Sequence, residues 1–288
     1  MPGTAPFSPG APVDGAAAAA GPRAGRGLRI EQVSKWFDRP DDDPLQALQP
    51  IDLNIDAGAF VALIGPSGCG KSTLLNIVAG FEPATRGSVL VDAQRVRGPH
   101  ISRGMVFQQY ALFPWLDVRE NIGFGLRNSG VPTSERERRV DHYLRLIGLE
   151  GFGAARPAAL SGGMKQRVAL ARAFATDPDI ILMDEPFGAL DALTRGFLQQ
   201  ELLRIWREHR KTVLLVTHSV QEALFLATRV IVFTRRPGRV KLDLGIELEQ
   251  PRRISEPGFR ELEARILEAL HEELLPAAQA GAAGIGTD

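Results

Sequence analysis

Four short runs of uninterrupted apolar residues punctuate the chain, at residues 60–64, 180–183, 213–216 and 230–233, with helical periodicity between them. A run of four or five such residues bounded by polar turns suits a strand covered on both faces, the condition found in parallel sheets wrapped by helices. Residues 28–33 alternate apolar and polar and read as a strand. Residues 51–55 alternate too, as a half-exposed antiparallel strand does. From Trp115 to Ala159 strand-like runs vanish, and a charged helix is predicted from Ser134 onward. It carries Val140, Tyr143, Leu144 and Ile147 on one face, with Ser134 as N-cap and Gly148 as its stop. No repeat is visible along the chain. The pattern predicts an α/β domain with a parallel core and a helical insertion.

Composition narrows this picture. The 288 residues are 44% hydrophobic and 24% charged, an ordinary globular balance. Acidic and basic residues cancel at 34 each, so there is no basic footprint of the kind nucleic-acid binding requires. No apolar stretch reaches the roughly 20 residues needed to cross a bilayer, so a membrane role requires a partner. The single cysteine, Cys69, excludes an intrachain disulfide and fits a reducing compartment. Residues 1–27 are rich in Ala, Gly and Pro but lack a cationic start and an apolar core, so they read as a disordered extension rather than a signal peptide. Residues from about Pro276 onward read as a similar tail, which leaves the ordered domain at 28–246 and a C-terminal helix and tail at 247–288.

The candidate chemistry starts directly after the first buried run. Gly65-Pro66-Ser67-Gly68-Cys69-Gly70-Lys71-Ser72 matches G-x-x-x-x-G-K-[ST] between a strand and an apolar helix expected over residues 72–79. Glycines let successive N–H groups curl toward phosphate oxygens, and the helix N-terminus adds a favourable dipole. Lys71 is expected to reach the β- and γ-phosphates, Ser72 to offer its hydroxyl to Mg²⁺, and Thr73 to complete the nucleotide-binding set. Cys69 reads as a small space-filler. The alternative is a thiol activated by Lys71, alkylation of which blocks activity unless ATP protects it. The run at 180–183 ends in Asp184-Glu185, at the sheet edge where α/β folds bind ligands. Asp184 is expected to hold Mg²⁺ and Glu185 to polarise the attacking water.

Leu160-Ser161-Gly162-Gly163-Met164-Lys165-Gln166-Arg167 is the most specific element. With Ser161 as a helix cap, Gly162 and Gly163 allow backbone N–H groups to approach a phosphate. In this order the motifs resemble those of ABC transporter ATP-binding subunits, and the resemblance spans residues 28 to about 244. It implies a P-loop NTPase (RecA-like) fold: a mainly parallel core sheet, an antiparallel β subdomain, and an α-helical subdomain inserted at about 115–175. It also implies ATP and Mg²⁺ as ligands, and a head-to-tail homodimer in which Ser161, Gly162 and Gly163 meet ATP held by the opposite subunit. Gln108 is similar to the Q-loop glutamine that senses Mg²⁺ and water, and His218 to the switch histidine that contacts the γ-phosphate. Gly188-Ala189-Leu190-Asp191 resembles the D-loop, with Gly188 where serine is usual. Phe37 aligns with the aromatic that stacks on adenine, and Trp36 is an alternative.

Gly104 to Phe113, Pro114-Trp115 and Arg235-Arg236-Pro237-Gly238-Arg239 resemble the nitrate, taurine and sulfonate importer group. Pro237-Gly238 is predicted as a type II turn between the run at 230–233 and a last strand near Val240. The implied protein is a peripheral ATPase on the cytoplasmic face of the inner membrane. Its partners are a permease and, indirectly, a periplasmic solute-binding protein, with the Q-loop and helical insertion (roughly 108–126) gripping the permease. A soluble ABC-type ATPase of DNA repair or translation is the competing class; the compact interval from Ser72 to Leu160 lacks the long coiled-coil insertion common there. A non-hydrolysing subunit is disfavoured because Lys71, Asp184, Glu185 and His218 are all present.

Overall fold

The computed structural model describes residues 25–40 and 42–274. An antiparallel sheet comes first: β1 (Leu28–Phe37) lies between β2 (Leu45–Ile55) and, across its other edge, the strand Arg86–Val91. The chain leaves β2 into β3 (Phe60–Ile64) and then α1 (Lys71–Ala79) before returning as that third strand, β4, and its short partner β5 (Gln94–Arg95). The core sheet adds β6 (Arg103–Val106), β7 (Ile180–Asp184), β8 (Thr212–Val216), β9 (Arg229–Phe233) and β10 (Val240–Gly245), in the order β10-β9-β3-β8-β7-β6. All its neighbouring pairs are parallel except β10 with β9. Strands β3, β7 and β8 are buried at every residue, which accounts for their unbroken apolar sequences.

Helices cover both faces of this sheet. Between β6 and β7 the chain makes α2 (Val118–Asn128), α3 (Thr133–Leu146) and α4 (Gly162–Ala175), which share their own apolar cluster around Ile122, Val140, Leu144 and Val168. Further on come α5 (Ala192–His209), α6 (Val220–Leu226) and α7 (Pro257–Leu274). Asp117 and Glu120 form a capping box at the start of α2. Buried Asn121 then ties the preceding loop to that helix. Its amide donates to the carbonyls of Phe113 (3.2 Å), Leu116 (3.1 Å) and Asp117 (2.9 Å), and its oxygen accepts from the Phe113 N–H at 2.9 Å.

Several local expectations are corrected. Helix α3 begins at Thr133 after Pro132, and Ser134 makes no cap; Gly148 does stop the helix, with φ 62°. Helix α1 begins at Lys71, one residue before the predicted start. The hairpin at 235–239 is not a type II turn, because Gly238 lies outside the left-handed region that such a turn requires. Gly238 is needed for close approach instead: a Cβ there would lie 2.0 Å from the Cys69 carbonyl oxygen. Residues 25–27, expected in a disordered extension, are bonded to the fold. The Gly25 N–H donates to the Arg210 carbonyl at 3.0 Å, and Arg26 pairs with buried Asp179 at 3.0 Å. The remainder of that extension, and the tail from Pro276, lie outside the described residues. Strand β4 has only the short apolar run Val89-Leu90-Val91, and β5 and β6 have none of that length; β6 opens on Arg103-Gly104 and lies at the sheet edge.

Replacing Asn121 by Ala leaves the buried Leu116 carbonyl and the Phe113 N–H without their partners, while the Phe113 and Asp117 carbonyls keep backbone donors. The expected loss is about 2–4 kcal/mol, measurable as a lower midpoint in chemical denaturation with an unchanged slope.

Candidate nucleotide site

The core strands end together, and the reactive side chains follow from that. Beyond β3, the chain turns through Gly65 to Gly70 into α1. Gly68 (φ 73°) and Gly70 (φ 103°) hold left-handed backbone, and a Cβ on Gly70 would meet the Leu48 side chain at 2.5 Å. Lys71 is buried, its ammonium donating to the carbonyls of Gly65 (2.7 Å) and Pro66 (2.9 Å). Ser72 donates its hydroxyl to Asp184 at 3.0 Å, joining the start of α1 to the end of β7. Burial pushes the Asp184 carboxyl above its usual range; the Ser72 hydrogen bond opposes this, and Glu185 adds to it.

Glu185 takes the left-handed conformation (φ 47°), rare for a residue with a side chain, and the surroundings hold it there. Its N–H donates to the Val216 carbonyl at 2.9 Å, and its carbonyl accepts from Gly188 N–H at 3.3 Å. One carboxylate oxygen meets both Gln108 Nε2 at 3.1 Å and His218 Nδ1 at 3.5 Å. Gln108, Glu185 and His218 come from three separate loops and converge on this oxygen. His218 follows β8 and is largely exposed; behind it Thr217 bonds Glu222, whose other oxygen accepts from Gln199 at 2.9 Å. Burial raises the Glu222 carboxyl pKa, with those two hydrogen bonds acting the other way.

A cleft of about 320 Å³ is lined by Phe37, Leu45 and Ala47, by the loop from Ser67 to Thr73, and by Gln108 and Glu185. Phe37 forms part of its wall, whereas Trp36 does not and is 41% exposed. Gly65, Pro66, Asp184 and His218 adjoin the cleft without lining it. Ser161, Gly162, Gly163 and Asp191 lie apart from it. Ser161 caps α4 by accepting from the Met164 N–H at 3.3 Å, and Asp191 caps α5 by accepting from Thr194 N–H at 3.0 Å. The Asp191 bond holds its carboxyl below the usual range. Cys69 is fully buried with its sulfur 3.6 Å from the Lys71 ammonium, so it packs the loop and the expected alkylation has no exposed thiol to act on. Sequence reasoning missed Leu45 and Ala47 as walls; their signal is register, since Leu45 pairs directly with Phe37 across β1 and β2. Arg236, quoted only as a subgroup marker, also lines the cleft.

The family model described as ABC transporter matches residues 48–188. An uncharacterized ABC transporter ATP-binding protein of Methanocaldococcus jannaschii is 49% identical over 248 residues, covering 86% of this chain and 92% of that protein. The chain belongs to the ABC transporter ATP-binding family. This ABC ATPase is also 47% identical over 266 residues to the taurine import ATP-binding protein TauB of Jannaschia sp., covering 89% of the chain and 99% of that protein. A solved dimeric ATP-binding cassette, in a post-hydrolysis state bound to ADP and Pi, superposes with TM-score 0.71 at 34% identity, covering 77% of this chain and all of that one. The ABC ATPase binds ATP and hydrolyses it to drive transport. No helix among its described residues is long and apolar enough to cross a membrane.

The buried Glu222 beneath the switch loop gives a pH signature. Its folded pKa lies above the unfolded value, so both states are protonated at low pH, and ionisation at higher pH costs the folded state. Glu222→Gln is therefore expected to raise the thermal midpoint by an increment that grows between pH 4 and pH 8. A pH-independent increment would show that burial of this charge is not the cause.

Proposed function

We propose that this chain powers an importer of a small anionic solute of the taurine, sulfonate or nitrate type, working as a peripheral homodimer beneath a separate permease. The observation carrying the hydrolytic part is the single carboxylate oxygen of Glu185 that faces both Gln108 and His218 beside Lys71 and Ser72. In this reading adenine stacks on Phe37, and the loop from Gly65 to Thr73 wraps the phosphates with its N–H groups. Lys71, held at the mouth of the loop by two carbonyls, neutralises the β- and γ-phosphates.

Ser72, Asp184 and the oxygen of Gln108 are hard oxygen donors, the set Mg²⁺ takes, and the Gln108 amide nitrogen is already spent on Glu185. Bound there, Mg²⁺ supplies charge neutralisation along the phosphates. Glu185 accepts a proton from the attacking water, and His218 holds the γ-phosphate side of the cleft.

Ser161, Gly162, Gly163 and Asp191 lie outside the cleft of their own chain, which supports their serving the ATP of a second copy. The dimeric state of the similar solved cassette supports the same arrangement. Two ATP molecules then hold the dimer closed, and hydrolysis releases it. The permease seat is proposed at the exposed rings near the Q-loop. Trp115 is 63% and Phe81 50% exposed, with Phe81 5.6 Å from Phe107 and Phe113 5.5 Å from Trp115. The solute class rests on the names of relatives such as the Jannaschia TauB protein.

Glu185→Gln should cut ATP turnover by about 10²–10⁴-fold while retaining nucleotide binding, and should elute as a dimer in ATP; a variant that turns over normally and stays monomeric refutes the role. For the solute, cells carrying this chain with its permease and binding protein are expected to take up labelled taurine, in competition with nitrate or an alkanesulfonate. Unchanged ATPase stimulation with no uptake of any of the three would remove the solute assignment and leave the ATPase standing.

A further inference from the structure

The hairpin between β9 and β10 touches the nucleotide cleft with one side chain, Arg236. Its backbone is anchored from three directions. On one side Gly238 N–H donates to the Ala47 carbonyl (2.9 Å), and the Gly238 carbonyl accepts from Gln49 N–H (2.9 Å), seating the hairpin on β2. Within the hairpin, Thr234 N–H donates to the Arg239 carbonyl (3.0 Å), and Arg239 N–H donates to the Thr234 hydroxyl (3.1 Å). From the far side Glu273 of α7 accepts the Arg235 N–H at 2.9 Å, while its other oxygen pairs with Lys241 at 2.8 Å.

Against this fixed backbone the Arg236 guanidinium is exposed and makes no hydrogen bond or ion pair among the described residues. Five donors in a planar fork are thus offered to the cleft without an acceptor. Their position along the cleft follows from the anchors. Ala47 belongs to the wall shared with Phe37, and Gly238 abuts the Cys69 carbonyl in the middle of the phosphate loop. Gln108 and Glu185, bonded to each other at 3.1 Å, also line the cleft and are held by other loops. Arg239, on the same hairpin, does not line the cleft.

We propose that Arg236 is a nucleotide-contacting residue of this ATPase, closing the cleft over the sugar and α-phosphate, with Glu273 of α7 as the residue that positions its hairpin. This rests on the nucleotide-binding reading of the cleft given above. A guanidinium at the α-phosphate meets ATP and ADP alike, so it adds affinity for both and does not discriminate the γ-phosphate. The C-terminal helix thereby reaches the nucleotide in two steps, from Glu273 to the Arg235 backbone and on to the neighbouring side chain.

The test is calorimetric titration of the full chain with ADP and with a non-hydrolysable ATP analogue. Because Arg236 is exposed, Arg236→Ala is expected to fold, and to weaken both ligands by the same factor, about 5–30-fold. The loss should appear in KM for ATP, and Arg236→Lys should recover part of it. Glu273→Ala is expected to weaken binding to a smaller extent, and to have no further effect once Arg236 is Ala. Equal affinity in wild type and Arg236→Ala overturns the proposal while leaving the nucleotide site intact. A loss confined to the ATP analogue overturns the α-phosphate contact, and a fall in kcat without a change in affinity overturns the binding role. Equal effects of Glu273→Ala in both backgrounds overturn the positioning role. Wild-type protein that binds neither ligand overturns the nucleotide reading, and this proposal with it.

Discussion

Strands β3, β7 and β8 lie side by side with no exposed residue, and this burial governs where chemistry can occur. A strand covered on both faces has no room for an unpaired charge, so polar function collects where the strands end. In a parallel sheet those ends share one edge. Gly65 follows β3, Asp184 and Glu185 close β7, and Thr217 and His218 follow β8. The Ser72–Asp184 hydrogen bond joins two of these ends directly, and the Glu185 oxygen facing Gln108 and His218 joins the others. Shift any one strand in register and the cluster falls apart.

A second requirement is close approach between the two sheets. Leu48 of β2 packs under Gly70 and bridges Gly238, so the antiparallel sheet rests on both the phosphate loop and the last hairpin. Phe37, at the end of β1, is thereby held as a wall of the same cleft that contains Lys71. Glycine at 70 and 238 is needed for that contact, since a side chain at either would strike backbone or a packed leucine.

The helices between β6 and β7 have an apolar cluster of their own, and α4 also joins the core of the sheet through Leu170, Ala173 and Phe174, with polar links added. Arg172 of α4 donates to the carbonyls of Ala111 (2.6 Å) and Tyr110 (3.2 Å), just after Gln108, and burial lowers its guanidinium pKa. Tyr143 of α3 reaches the Phe174 carbonyl at 3.0 Å, and burial raises its phenol pKa to about 12. One segment thus carries both the Ser161 cap and the exposed rings near the Q-loop, and α4 couples it to the sheet.

Much of this was legible along the chain because local chemistry suffices for it. Continuous apolar runs identify strands buried on both faces, glycines before Lys71 identify a phosphate turn, and a Ser before two glycines identifies a helix start. Strands β4 and β6 were not legible, since each carries only two or three apolar residues after a polar start and becomes a strand by pairing with β1 and β7. The choice of Phe37 over Trp36 as cleft wall, the packing of Cys69 and the direction of the 235–239 hairpin likewise depend on residues distant in sequence. Those contacts form only when the two sheets close on each other: a strand's periodicity says which faces are covered, but not what covers them.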